Sequence, residues 1–202
     1  ISGIVNFKGT APEPKKLMIT KDKQVCDKTA KTDPTLMVAG GKVVNAVVTI
    51  TDIQKGKEMK AMKVTLDQNG CEYHPHVLAF PAGSTIEILN PDKILHNIHT
   101  YSKINTPFNR AQPKFKKKLT VKIEKPEAVE VKCDVHGWMG GWFFVAANPY
   151  YSVTMDDGAF KLTDVPPGTY TVEVWHETLG KKSQKVTVAA KQDTQVNFEL
   201  AK

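Results

Sequence analysis

The run Val131-Lys-Cys-Asp-Val-His-Gly-Trp-Met139 carries a thiol, an imidazole and a thioether at three-residue intervals, on Cys133, His136 and Met139. It continues Val129-Glu-Val-Lys-Cys133, where apolar and polar residues alternate as they do along a half-buried strand. That alternation puts Val129, Val131 and Cys133 on one face, so the thiol reaches the inner end of a sheet. Gly137, Gly140 and Gly141 then let the chain fold tightly back on itself. A soft thiolate, an imidazole and a weak thioether on one loop suit copper, which is held elsewhere by two histidines, one cysteine and a distant axial methionine. The set needs one more imidazole, and His96 is the candidate.

His96 lies in Asp92-Lys-Ile-Leu-His-Asn-Ile-His-Thr100, where it follows a turn and opens a strand. His99, three residues on, falls on the opposite face of an extended chain and does not chelate with His96 unless the strand bulges. His76 shares a strand face with Leu78 and Phe80, so it is either a hydrogen-bonded core residue or an additional metal ligand. Asn97, beside His96, is placed to tune the site from behind its ligands. A zinc site built from Cys133, His136, His96 and His76 is the competing reading, and it leaves Met139 idle.

The chain of 202 residues has 41% hydrophobic and 24% charged residues, ordinary values for a water-exposed globular protein with real cores. No apolar run approaches the ~20 residues of a transmembrane helix. Net charge is +7, with much of it in segments such as Lys114-Phe-Lys-Lys-Lys118. Such segments either steer the protein to an acidic partner or are solvated loops; no nucleic-acid-binding motif accompanies them. Of the three cysteines, Cys133 is in the ligand loop, while Cys26 and Cys71 lie in polar, turn-rich contexts. An odd count with one member in a ligand loop suggests a Cys26–Cys71 disulfide, worth roughly 4 kcal/mol in the chain-entropy model. The alternative is two free thiols. A disulfide implies an oxidising compartment, and a first residue Ile1 is compatible with a removed leader, so a periplasmic or extracellular location is expected.

Helix signals are nearly absent, and twelve prolines, thirteen glycines and many β-branched residues point to an all-β protein. Strands are expected at 1–7, 16–20, 43–50, 62–66, 76–80, 85–89, 96–101, 119–123, 128–132 and 142–146, with 108–113 irregular. From Asn148 the texture changes to short strands around Asp157-Gly158 and Pro166-Pro-Gly168. The expected organisation is therefore a sandwich over 1–147, with an N-terminal strand extension, and a small second sandwich over 148–202. Trp175-His-Glu177 is the one polar cluster there, read as a strand end.

Cys71 to Val145 resembles the cupredoxins, the plastocyanin and azurin family of Greek-key β-sandwich copper proteins. Leu95-His-Asn-Ile98 is similar to that family's first-ligand strand, Lys132-Cys-Asp-Val-His136 to its thiolate loop, and Met139 falls where the axial thioether belongs. The resemblance implies a mononuclear copper site of His96, Cys133, His136 and Met139. The spacing from His136 to Met139 is shorter than in plastocyanin or azurin. A dinuclear copper centre would need a second loop cysteine where Val129 stands. The whole chain also resembles bacterial proteins in which a cupredoxin precedes a carboxypeptidase-regulatory-like (transthyretin-like) domain, on Gly70-Cys-Glu-Tyr-His-Pro-His76, Asn148-Pro-Tyr-Tyr151, Pro166-Pro-Gly-Thr-Tyr170 and Trp175-His-Glu177.

Three functions follow from these likenesses. One is a single-electron carrier, not an enzyme, that serves a redox partner of acidic surface such as a c-type cytochrome or an oxidoreductase. Another is a red or open copper site, as in nitrosocyanin, acting on a small molecule. The third is a copper-handling module. In the first, Trp138 and the glycines around it form an apolar docking patch over an exposed edge of His136.

Overall fold

A computed structural model describes all 202 residues. The protein is almost wholly β, its helical content limited to single turns at Lys23–Cys26 and Asn69–Cys71. It divides into two compact units, one of residues 1–14, 34–59 and 148–202, the other of 15–33 and 60–147. No helix is long and apolar enough to cross a membrane.

The second of these units is a sandwich of a three-stranded and a five-stranded sheet. The smaller sheet runs Lys118–Lys122, Thr85–Leu89, Lys63–Asp67, the last pair parallel. The larger runs Val77–Pro81, Gly140–Ala146, Glu127–Lys132, His96–Tyr101, Asn109–Gln112, with its first pair parallel and the rest antiparallel. The two faces meet in one core that includes Ile86, Ile88, Ile98, Val129 and Phe143, each at most 1% exposed. The alternation legible in 129–133 is present: Val129, Val131 and Cys133 are buried, while Glu130 and Lys132 face outward. Segment 108–113 departs from its expected irregularity. Asn109–Gln112 is an edge strand paired with His96–Tyr101, and its polar outward residues hid it from a hydrophobic pattern.

The other unit also has two sheets. Ser2–Phe7 pairs with Ala159–Lys161, and around Asn6 it lies between Phe198–Leu200 and Lys42–Val43. Val47–Ile50 lies inside a four-stranded sheet, between Tyr151–Val153 and Gly168–His176, with Gly180–Val188 at the far edge. The expected boundary of a 1–147 domain is thus corrected, because residues 1–14 and 34–59 complete the C-terminal sandwich. The physical reason is burial. All four residues of Val47–Ile50 are buried, which requires neighbours on both edges and both faces, and only the strands of 148–202 supply them. Gly3 shows how close the packing is: a Cβ there would fall 1.7 Å from the Val196 carbonyl oxygen.

The short strands expected around Asp157-Gly158 are Tyr151–Val153 and Ala159–Lys161, and they join different sheets. Two strand expectations are corrected. Segment 43–50 breaks at Asn45 (φ 62°), which turns the chain from one sheet to the other. Segment 16–20 makes a single bridge, Lys16 to Thr32, and belongs to an irregular excursion over 15–33.

In the 60–147 sandwich one loop hangs on a single carboxylate. Glu127 accepts hydrogen bonds from the Ser102 hydroxyl, the Lys103 N–H at 2.5 Å, the Ile104 N–H at 3.0 Å and the Asn105 amide at 3.0 Å. Burial would raise its pKa, but these donors outweigh it and pull the group down to about 2. The folded value lies below the unfolded one, so the stabilisation is complete above the usual carboxylate range near ~4.3 and is lost as pH falls toward 2. Glu127→Gln is expected to cost about 1–2 kcal/mol at pH 6 in urea unfolding, an amount limited by partial exposure. The difference from wild type should vanish between about pH 4 and pH 2; a cost that stays constant across this window would refute the assignment.

Candidate metal centre

At one end of the 60–147 sandwich the strand His96–Tyr101 runs beside Glu127–Lys132, with His99 opposite Lys132. That register brings His96 next to Cys133, one residue beyond the strand. The ligand loop closes on itself through Cys133 N–H to Met139 O (3.0 Å) and Met139 N–H to His136 O (2.9 Å). Gly141 is required just after it, since a Cβ would lie 2.7 Å from the His76 carbonyl.

His96, Cys133 and His136 converge, with their donor atoms within 4.8 Å of one another. The two Nδ1 atoms face each other at 3.1 Å, and Cys133 Sγ lies 3.8 Å from His136 Nδ1. Both imidazoles are fully buried, and Cys133 and Met139 are 2% and 1% exposed. Met139 packs in the same core cluster as Cys133.

The outer ring nitrogens are held by carboxylates, His96 Nε2 by Asp92 and His136 Nε2 by Asp22, each at 2.9 Å. A proton on Nε2 donated to a carboxylate leaves Nδ1 as a bare lone pair, the tautomer that binds a metal. Two such lone pairs 3.1 Å apart beside a sulfur require a cation or a proton between them. The donor set therefore fits a soft or borderline metal ion.

The charges agree. Burial would push the Cys133 thiol up, but hydrogen bonds with His136 and His96 and the backbone N–H of Asn97 outweigh it and bring it to about 6. Burial likewise opposes the charged form of His96, yet Asp92 and Cys133 raise it above the ordinary imidazole value. Asp92 is held below the carboxylate range against burial by His96 and by the N–H groups of Gly70 and Cys71.

The remaining candidate residues fall as follows. Asn97 ties the two ligand segments together, its Oδ1 accepting the Asp134 N–H at 2.7 Å and its Nδ2 donating to Asn109 at 2.7 Å. His76 stands apart from the converging donors, with Nδ1 3.2 Å from the Gly140 carbonyl. His99 is partly exposed and pairs with Asp134 at 3.0 Å. Cys26 and Cys71 form a disulfide. His176, in the other unit, is buried, and its Nδ1 accepts the N–H groups of Thr178 and Leu179 to close a turn. One expectation is overturned: His136 has no exposed edge, and Trp138 is not an open docking patch. The 15–33 excursion covers them, with Asp22 on the imidazole and Leu17, Ile19 and Val25 in the cluster that also holds Trp138.

Asp22 and Asp92 are the functional residues that the sequence reading missed. Asp92 had a local signal, a carboxylate four residues before His96 in a turn. Asp22 is 114 residues from His136 and had none.

The family model of the carboxypeptidase regulatory-like domain matches residues 145–201. Solved structures similar to the chain include a copper-containing nitrite reductase from Thermus scotoductus SA-01, at 20% identity and TM-score 0.40, over 57% of this chain. This chain spans only 27% of that reductase. A purple cupredoxin from Nitrosopumilus maritimus is similar at 20% identity and TM-score 0.36, over 41% of this chain and 99% of its own. Amicyanin from Paracoccus versutus is similar at 19% identity and TM-score 0.37, over 49% and 97%. No curated protein sequence matches. The 60–147 sandwich holds its ligand strand and ligand loop side by side at one end.

Loss of the Asn97 side chain tests how the site is held. Asn97→Ala leaves the Asp134 N–H without its acceptor and should lower the stability of the metal-free protein by about 1–3 kcal/mol in urea unfolding. An unchanged midpoint would mean that the two ligand segments are positioned by something else.

Proposed function

We propose that the protein is a mononuclear copper protein that carries single electrons outside the cytoplasm, with His96, His136 and Cys133 as ligands and Met139 as the axial group. The observation that carries this reading is the pair of Nδ1 atoms 3.1 Å apart beside Cys133 Sγ, each imidazole fixed from behind by a carboxylate. Copper bound there would supply the one-electron couple. The chain supplies what makes such a couple fast and stable. It fixes the donors in a buried sandwich end, so that little rearranges when charge changes. It also hydrogen-bonds the sulfur through the Asn97 N–H and excludes water from all four side chains.

That same burial favours a carrier over an enzyme, because a small molecule would have to displace Asp22 or the ligand loop to reach the metal. The disulfide supports an oxidising compartment. A redox partner of acidic surface suits Lys114-Phe-Lys-Lys-Lys118, where Phe115 is 80% exposed among lysines.

One equivalent of Cu(II) added to the metal-free protein should give an intense thiolate-to-copper absorption band with narrow EPR hyperfine splitting. Cys133→Ala should abolish the band, and Met139→Leu should keep it at a shifted position. Absence of the band in wild type would refute the copper reading. A weak band that moves with added azide would instead favour an open site acting on small molecules.

A further inference from the structure

Residues 15–33 form an excursion that belongs to the same compact unit as the 60–147 sandwich, and its two ends are joined. Leu17 N–H donates to Lys31 O at 3.0 Å, Asp33 N–H to Lys15 O at 2.8 Å, and Lys16 bridges Thr32. Between these ends the turn Lys23–Cys26 is capped by Asp22, whose carbonyl accepts the N–H groups of Val25 and Cys26 at 2.9 Å. The Asp22 carboxylate is the group on His136 Nε2.

Cys26, at the far end of that turn, is bonded to Cys71. Cys71 belongs to the turn that holds the other carboxylate. The Gly70 N–H donates to Asp92 Oδ1 at 2.7 Å and the Cys71 N–H to Asp92 Oδ2 at 2.8 Å, and Asp92 holds His96. The Trp138 indole donates to the Cys71 carbonyl at 3.2 Å. Both disulfide sulfurs lie within 4.8 Å of a His136 ring nitrogen. One covalent bond thus joins the two segments whose carboxylates fix the two imidazoles. A cleft of about 580 Å³ leads to it, lined by Cys26, Gly70 and Asp92, with Lys28 and Lys93 along it.

We propose that the Cys26–Cys71 disulfide is a redox latch on the metal centre, with Asp22 as the residue that the latch presses onto His136. The latch rests on the copper reading above. Oxidised, it keeps the excursion over His136 and retains the metal. A dithiol reductant reaching the cleft opens it by exchange: the Cys26–Cys71 S–S bond breaks, and two electrons and two protons pass from the dithiol to the two cysteines. The reductant leaves as its own disulfide. Without the cross-link the excursion keeps its hydrogen bonds, a small apolar cluster and the Lys31–Glu72 ion pair at its far end, Asp22 withdraws, and the imidazole and its metal meet solvent.

The test uses the full chain loaded with Cu(I) and follows metal transfer to an excess of a Cu(I) chelator. Transfer should be at least 10-fold faster after the disulfide is reduced with a phosphine, and equally fast in Cys26→Ser/Cys71→Ser. Asp22→Ala, which keeps the disulfide, should also speed transfer, whereas Asp22→Asn, which keeps an acceptor oxygen for His136, should restore the slow rate. A metal-free readout runs beside it: reduction should speed hydrogen exchange of the amides at 134–138 by 10-fold or more. Unchanged exchange on reduction, or transfer rates within twofold of each other, would overturn the latch. Failure of the copper reading has a different signature, a wild-type protein with no thiolate-to-copper band.

Discussion

Everything at the metal centre depends on two carboxylates placed behind two imidazoles. Asp92 and Asp22 each take the Nε2 proton of a histidine, and by doing so they aim both Nδ1 lone pairs at one point beside Cys133. A buried histidine free to choose its tautomer would not define a site. One whose outer nitrogen is committed does. The sandwich provides the rest: a strand that ends at Cys133, a neighbouring strand that begins at His96, and Asn97 bonded across the gap.

The carboxylates are themselves held by the least regular parts of the unit. Asp92 sits in a turn fixed by Asn90, whose amide donates to Ile94 O at 2.8 Å and Gln112 O at 3.0 Å, and it takes two backbone N–H bonds from 70–71. Asp22 caps a single helical turn in the 15–33 excursion, and the disulfide, a small apolar cluster and the buried Lys31–Glu72 ion pair at 2.7 Å bind that excursion to the sandwich. The apolar residues of this irregular segment, Leu17, Ile19 and Val25, share a cluster with Trp138.

Much of this was legible in the sequence, for reasons that can be stated. The alternation at 129–133 and the turn before His96 are local patterns, and local patterns survive folding. They gave the strands, the ligand loop and the side of the sheet on which Cys133 lies. The cysteine count pointed to Cys26 and Cys71 because Cys133 already had a role. What could not be read was long-range. Val47–Ile50 looks equally at home in either sandwich, and only its pairing with Gly168–His176 assigns it. Asn109–Gln112 is a strand by pairing and not by hydrophobicity. In 15–33 the sequence reads as a short strand at 16–20 followed by a polar loop, so nothing announced that the stretch would cover His136 and pack on Trp138.

The central claim is a buried, rigid centre that passes single electrons, and direct electrochemistry of the copper-loaded protein tests it most directly. A reversible one-electron couple that survives repeated cycling without loss of metal is predicted, because the donors are preset and enclosed. An irreversible wave, or loss of copper on reduction while the disulfide is intact, would contradict it.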